Sequence, residues 1–234
     1  MTRLARRRRF LSAVSAMIFP GRSITSASPA GLTLYTFGDS ILDCGHYNAF
    51  GVHPGQLLVR NDDALFPEFV GRDLQRRSAR LQHRARDGAT VAGLPSQAEG
   101  IKISTESVAL LTIGGNDLIV GLAGDSGAKV QRFESALNEF LRQLPIRPVL
   151  LGNVYDPTFG DDAKNFLGVD AQTARANHQR VNDIIAAMAK RYGRLVDLHS
   201  HFLAGNPEWL TRTIEPSLIG ASEVRRAFLA AIES

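Results

Sequence analysis

From residue 32 onward, short apolar runs alternate with stretches of helical periodicity. Leu32–Phe37 is a compact apolar run, and Val108–Ile113 (VALLTI) and Val149–Val154 are continuous enough to predict strands buried on both faces. Arg194–Leu198 (RLVDL) predicts another strand, and Ala79–Arg86 an exposed one. Phe66–Arg77 sets Phe66, Phe69, Val70 and Leu74 on one helical face. Lys129–Leu144 sets Val130, Phe133, Leu137, Phe140, Leu141 and Leu144 in helical register and ends at Pro145. Asp170–Tyr192 predicts a long helix and Ser222–Ile232 a last one. Strands alternating with helices imply a mostly parallel sheet covered on both sides. The segment His46–Leu65 has no clear period, and a loop after the first strand of such a sheet is expected to shape a ligand crevice.

The composition fits a single globular domain. Of 234 residues, 44% are hydrophobic and 21% charged, and no apolar run reaches the roughly 18–20 residues of a membrane-spanning helix. One cysteine, Cys44, excludes an intramolecular disulfide framework and a cysteine-rich zinc module. The formal net charge of +4 suggests nucleic-acid binding only until the charges are located. Six arginines (Arg3, Arg6, Arg7, Arg8, Arg9 and Arg22) fall in the first 31 residues, which hold no acidic residue. Taking those 6 from 27 leaves 21 basic against 23 acidic side chains, so the body carries about −2 and a nucleic-acid partner gains no support.

The arginine head divides the chain into a basic segment, 1–30, and a domain, 31–234. Arg6–Arg9, the apolar stretch Phe10–Phe19 and the small residues Thr25–Ala27 are the parts of an export signal, and Arg7-Arg8-Arg9-Phe10-Leu11 resembles the twin-arginine pattern. A disordered basic tail, or a start codon chosen too far upstream, accounts for the same residues, so exported and cytoplasmic locations both stay open.

Chemistry gathers where the strands end. Gly38-Asp39-Ser40 follows the first, Asp87-Gly88-Ala89-Thr90 the second and Gly114-Gly115-Asn116-Asp117 the third. In this order the three motifs resemble those of the SGNH (GDSL-type) hydrolase family, FGDSILDCG and TIGGNDL being the specific parts and DGAT a looser match. The resemblance runs from about Leu32 to Ile232. It implies a flavodoxin-like, three-layer α/β/α sandwich with a five-stranded parallel sheet, and hydrolysis of carboxylic esters without a cofactor or metal. It further implies Ser40 as nucleophile, with an oxyanion hole made by the Ser40 and Gly88 N–H groups and the Asn116 side chain. The substrate would be a small-molecule or carbohydrate ester, carrying an acetyl or short acyl group. Elementary chemistry agrees, since glycine admits close backbone approach and asparagine supplies an uncharged N–H.

The last family motif departs. Where the family has Asp-x-x-His, this chain reads Arg212-Thr213-Ile214-Glu215, followed by Pro216 and Gly220 at the family spacing. A carboxylate accepts a proton about two pKa units less readily than imidazole, and general-base help is typically worth about 10²–10⁴-fold. Three readings stay open. Glu215 is the base, directly or through water; or a histidine replaces it, His199 and His201 being best placed, with His46 and His53 in the loop after Ser40 as alternatives; or the site binds a carbohydrate or acyl ligand without turnover. His178 and His83 are expected at the surface. Asp197, His199 and His201 would share one side of a strand and could hold zinc, against an ordinary strand aspartate with two solvent histidines, which is favoured. Trp209 fits either the crevice or the core.

Overall fold

Five strands pair in parallel in the order β2-β1-β3-β4-β5, as the apolar runs require: β1 (Thr33–Gly38), β2 (Arg80–His83), β3 (Ser107–Thr112), β4 (Val149–Gly152) and β5 (Gly193–Val196). This computed structural model describes residues 31–103 and 106–234. The basic segment 1–30, with its export or tail alternatives, lies outside them.

Side chains alternate across the sheet as a period of two demands. Tyr35 and Phe37 of β1, with Ala109 and Leu111 of β3, pack under α4 (Ala128–Gln143) and α5 (Ala171–Tyr192). Leu34, Val108 and Leu110 pack on the other face, under α1 (Pro54–Val59) and α7 (Leu218–Glu233). The result is a three-layer α/β/α sandwich with one apolar core on each side of the sheet. Shorter pieces complete it: α2 (Leu94–Gln97), the single turn α3 (Gly115–Asp117), α6 (Leu198–Leu203), and a small hairpin of β6 (Leu210–Thr211) with β7 (Glu215–Pro216). Among the described residues no helix is long and apolar enough to cross a membrane.

Several segments differ from the expectation. Phe66, Phe69 and Leu74 are buried, but Phe66–Arg77 is two separate 3-10 turns, not a helix, and Val70 is exposed. Gly71 at φ +71° interrupts the spiral, and Asp73 draws its oxygens toward the backbone N–H groups of Asn61 and Gln75. The edge strand is shorter than Ala79–Arg86. The fifth strand ends at Val196, because Asp197 accepts a hydrogen bond from Ser200 N at 3.0 Å and thereby caps α6. The segment 46–65 contains α1, whose start carries Pro54 at the first turn and a Gln56 side chain accepting from His53 N.

Candidate active site

Ser40 stands on the tight turn at the end of β1. Gly38 makes that turn possible: it sits at φ +111°, and a Cβ there would fall 1.6 Å from the Thr112 carbonyl oxygen. Its N–H donates to Gln97 Oε1 at 2.7 Å, and its carbonyl accepts from Gln97 Nε2 at 2.9 Å. The buried Asp39 then fixes the bend, accepting from Thr112 Oγ1 at 2.8 Å and Ile41 N at 3.2 Å, while its carbonyl accepts from the N–H groups of Leu42 and Asp43. Burial pushes the Asp39 carboxyl up to about 7, against the lowering effect of those two bonds.

The turns after β2 and β3 are tied to each other. Asn116 Nδ2 donates to the Ala89 carbonyl at 3.1 Å, and Asp117 accepts from Val91 N at 3.1 Å. Asp117 is raised to about 6, mainly by burial. Arg86 N donates to the Gly38 carbonyl at 2.9 Å, joining the second turn to the first. Gly88 adopts φ +73°, and a Cβ there would meet open space, so the backbone conformation rather than crowding calls for glycine. Asn116 has two amide hydrogens, so the bond to Ala89 leaves one for a ligand.

Glu215, on β7, is buried and comes to Ser40. The Ser40 side chain is within hydrogen-bonding reach of the Glu215 carboxylate, whose Oε2 is buried without a hydrogen-bond partner. Burial raises the Glu215 pKa; the Ser40 bond lowers it, Asp87 raises it, and His46 and Arg212 lower it. The hairpin turn leading to Glu215 is strained, with Arg212 at φ +47° and Thr213 at φ +74°. Tyr155 Oη anchors it by donating to the Ile214 carbonyl at 2.5 Å.

The other predicted residues lie elsewhere. His201 Nε2 is 3.0 Å from Glu223 Oε2 and its ring lies beside Trp209, on the far side of α6. His199 packs 5.3 Å from His178. With Asp197 capping the helix, the three side chains turn to different partners, and among the described residues no group of three His, Cys, Asp or Glu is arranged to hold a metal. His53 is buried, its ring 4.1 Å from that of His83, and burial pushes it down to about 4. His83 is half-buried between Thr36 Oγ1 and Asp43 Oδ1, not exposed on the edge. His178, expected at the surface, is half-buried, bonds the Val154 carbonyl and lines a pocket. Trp209 packs on Phe202 and His201.

That pocket was not visible in the sequence. Ser40 and Asn116 stand in its wall beside Ile41, Leu118, Ile119, Val154, Phe166, Leu167 and Ile214, and its volume is about 110 Å³. Ile119 and Phe166 are also exposed, so the apolar lining continues to the mouth. Arg175, paired with Asp162, and Asp156 supply polar groups to the same wall. Residues 156–167 are connecting loop, and no periodicity announces such a wall.

Comparison with known proteins adds a family. The sequence profile described as the GDSL-like Lipase/Acylhydrolase family matches residues 36–218. LAE5, an α/β hydrolase enzyme from the metagenome of Lake Arreo, Spain, is similar in structure, with 26% identity and a TM-score of 0.62 over 88% of this chain and 97% of that one. Axe2, an acetylxylan esterase from Geobacillus stearothermophilus, shares the fold at 22% identity and a TM-score of 0.61, over 88% of this chain and 96% of that one. A search of curated proteins finds no match. The profile spans all three strand-end turns and the Glu215 hairpin, and the chain belongs to the GDSL-like lipase/acylhydrolase family of ester hydrolases.

Proposed function

We propose that this protein is a serine esterase in which Ser40 attacks the ester carbonyl and Glu215 takes its proton. The observation that carries this is the buried approach of the Ser40 hydroxyl to the Glu215 carboxylate, with Ser40 in the wall of an apolar pocket. As the Ser40 Oγ–acyl carbon bond forms, the hydroxyl proton passes to Glu215, and the carbonyl oxygen gains negative charge. Gly88 N–H, Ser40 N–H and the free Asn116 hydrogen receive that charge. The C–O bond to the alcohol then breaks, and the alkoxide collects the proton from Glu215. Water then attacks the acyl carbon as Glu215 takes its proton, the Ser40 Oγ–acyl bond breaks to release the acid, and Glu215 returns the proton to Ser40 Oγ. Burial suits Glu215 to this work, because a raised pKa makes a carboxylate a better proton acceptor.

The pocket admits an acyl group longer than acetyl. At about 10–15 Å³ for each water-sized group, a pocket of about 110 Å³ has room for on the order of seven to eleven heavy atoms, against three in an acetyl group. A serine-directed fluorophosphonate should label the wild type and not Ser40→Ala, and the variant should lose turnover of a chromogenic butyrate ester. An unlabelled wild type with no ester turnover between pH 5 and 9 would instead support a binding domain that has lost hydrolysis.

A further inference from the structure

We propose that Ile119, Val120 and Phe166 form a docking face for an uncharged lipid–water surface, from which an ester passes its acyl chain directly into the pocket. The inference rests on the esterase reading above and deepens it, since it names the form in which the substrate is met.

Two segments carry the face to one mouth. The first is a wide helical turn, Leu118–Leu122, directly after the Asn116 turn. Leu118 and Leu122 are buried in the core, whereas Ile119 is 42% exposed and Val120 71%. Gly121 at φ +117° breaks the spiral there, and its carbonyl accepts from Lys129 Nζ at 3.1 Å. The turn is held from behind, since Asn177 Nδ2 of α5 donates to the Ala123 and Asp125 carbonyls at 2.8 and 3.0 Å. The second segment is the loop after β4, where Phe166 is 43% exposed between two half-buried neighbours, Asn165 and Leu167. Ile119 and Phe166 stand in the wall of the pocket that Ser40 and Asn116 also line. Three large apolar side chains at one opening are a patch, which a single scattered one is not.

A dissolved ester does not account for this face. Its acyl chain meets Ile119 and Phe166 in the pocket wall, but Val120 is outside that wall and stays in water. Covering all three takes an apolar surface wider than one chain. A protein partner or a second copy seated here would close the mouth through which the ester reaches Ser40. A lipid surface covers the same side chains and supplies the ester. The cations on these segments fit an uncharged surface. Arg175 is paired with Asp162, Lys164 with Asp161 at 3.4 Å, and Lys129 is engaged by the Gly121 carbonyl. The attraction is therefore apolar and needs no anionic lipid.

The test uses the full chain, wild type and Val120→Ser, with tributyrin above its solubility limit and with dissolved p-nitrophenyl butyrate. Wild-type turnover of tributyrin should rise steeply once droplets form. Val120→Ser should need roughly 5- to 30-fold more droplet surface for half-maximal rate, the ratio expected for losing most of one buried valine. On the dissolved ester the two proteins should agree, and 1 M NaCl should not weaken the droplet reaction. Binding is read separately by flotation of Ser40→Ala and of Ser40→Ala with Val120→Ser on tributyrin droplets and on phosphatidylcholine vesicles. The first should float and the second should float less. Equal flotation, equal droplet kinetics, or the same loss on dissolved and droplet ester overturns the proposal. So does a dimer in sedimentation that Val120→Ser disperses, because a second copy would then cover the face. A wild type that turns over neither ester and takes no fluorophosphonate, yet floats, defeats the esterase reading and leaves the docking face standing.

Discussion

Asn116 has a structural bond and, in the proposed esterase, a chemical duty. One amide hydrogen ties the third turn to the second through Ala89, and the residue lines the pocket that Ser40 also lines. Replacing it by alanine should lower kcat about 10²–10³-fold, the cost of one lost oxyanion donor, with little change in KM. Steady-state kinetics on a butyrate ester checks this; a rise in KM at constant kcat would mean that Asn116 only holds substrate. At this scale the sequence speaks most plainly in short turns with few residue types. The GDS, DGAT and GGND turns could be picked out for that reason, and two of them bring Ser40 and Asn116 into the wall of one pocket. Glu215 was legible only as a departure, because its meaning depends on burial beside Ser40, and burial is not written locally. His199 and His201 looked attractive because they were close in sequence to the missing motif. His201 pairs with Glu223 and His199 packs on His178, because Asp197 starts a helix and turns successive side chains around an axis.

At the scale of the element, the turn after β1 stores an electrostatic cost. Asp39 is fully buried and raised from 3.8 to about 7, so the folded protein holds a proton that the unfolded chain releases. A carboxyl raised in the folded state has its full stabilising share below pH 3.8 and loses it as pH climbs through 7, to a total of up to about 4 kcal/mol. The Asp39 share of the stability should therefore fall between pH 4 and pH 8, so that Asp39→Asn, which keeps an acceptor for Thr112 and Ile41, should differ from wild type by a gap that changes across this range. Denaturant midpoints across this range measure it, and equal slopes for the two proteins would contradict the assignment. The elements themselves were predictable where apolar residues formed long runs or a sustained helical period, as in β1, β3, β4, α4 and α5. Phe66–Arg77 failed for a physical reason. Its buried residues do recur at helical intervals, but Gly71 and the Asp73 side chain offered the backbone a different set of bonds.

Across the whole molecule, two cores hold a sheet whose strand ends converge on an apolar pocket beside Ser40. That layout predicts selectivity. Among p-nitrophenyl esters, kcat/KM should rise from acetate to butyrate and hexanoate, then fall once the chain outgrows the pocket. Phe166→Ser should remove most of that rise while leaving acetate nearly unchanged, because an apolar wall contributes in proportion to the chain it covers. A preference for acetate over butyrate would contradict the pocket assignment. The measurement that bears most directly on the account is the rate of fluorophosphonate labelling of Ser40 against pH, in wild type and in Glu215→Gln. The account predicts wild-type labelling that declines toward acid pH, and a variant slowed about 10²-fold or more with that decline abolished. A Glu215→Gln protein labelled at the wild-type rate, with the wild-type pH dependence, would contradict it.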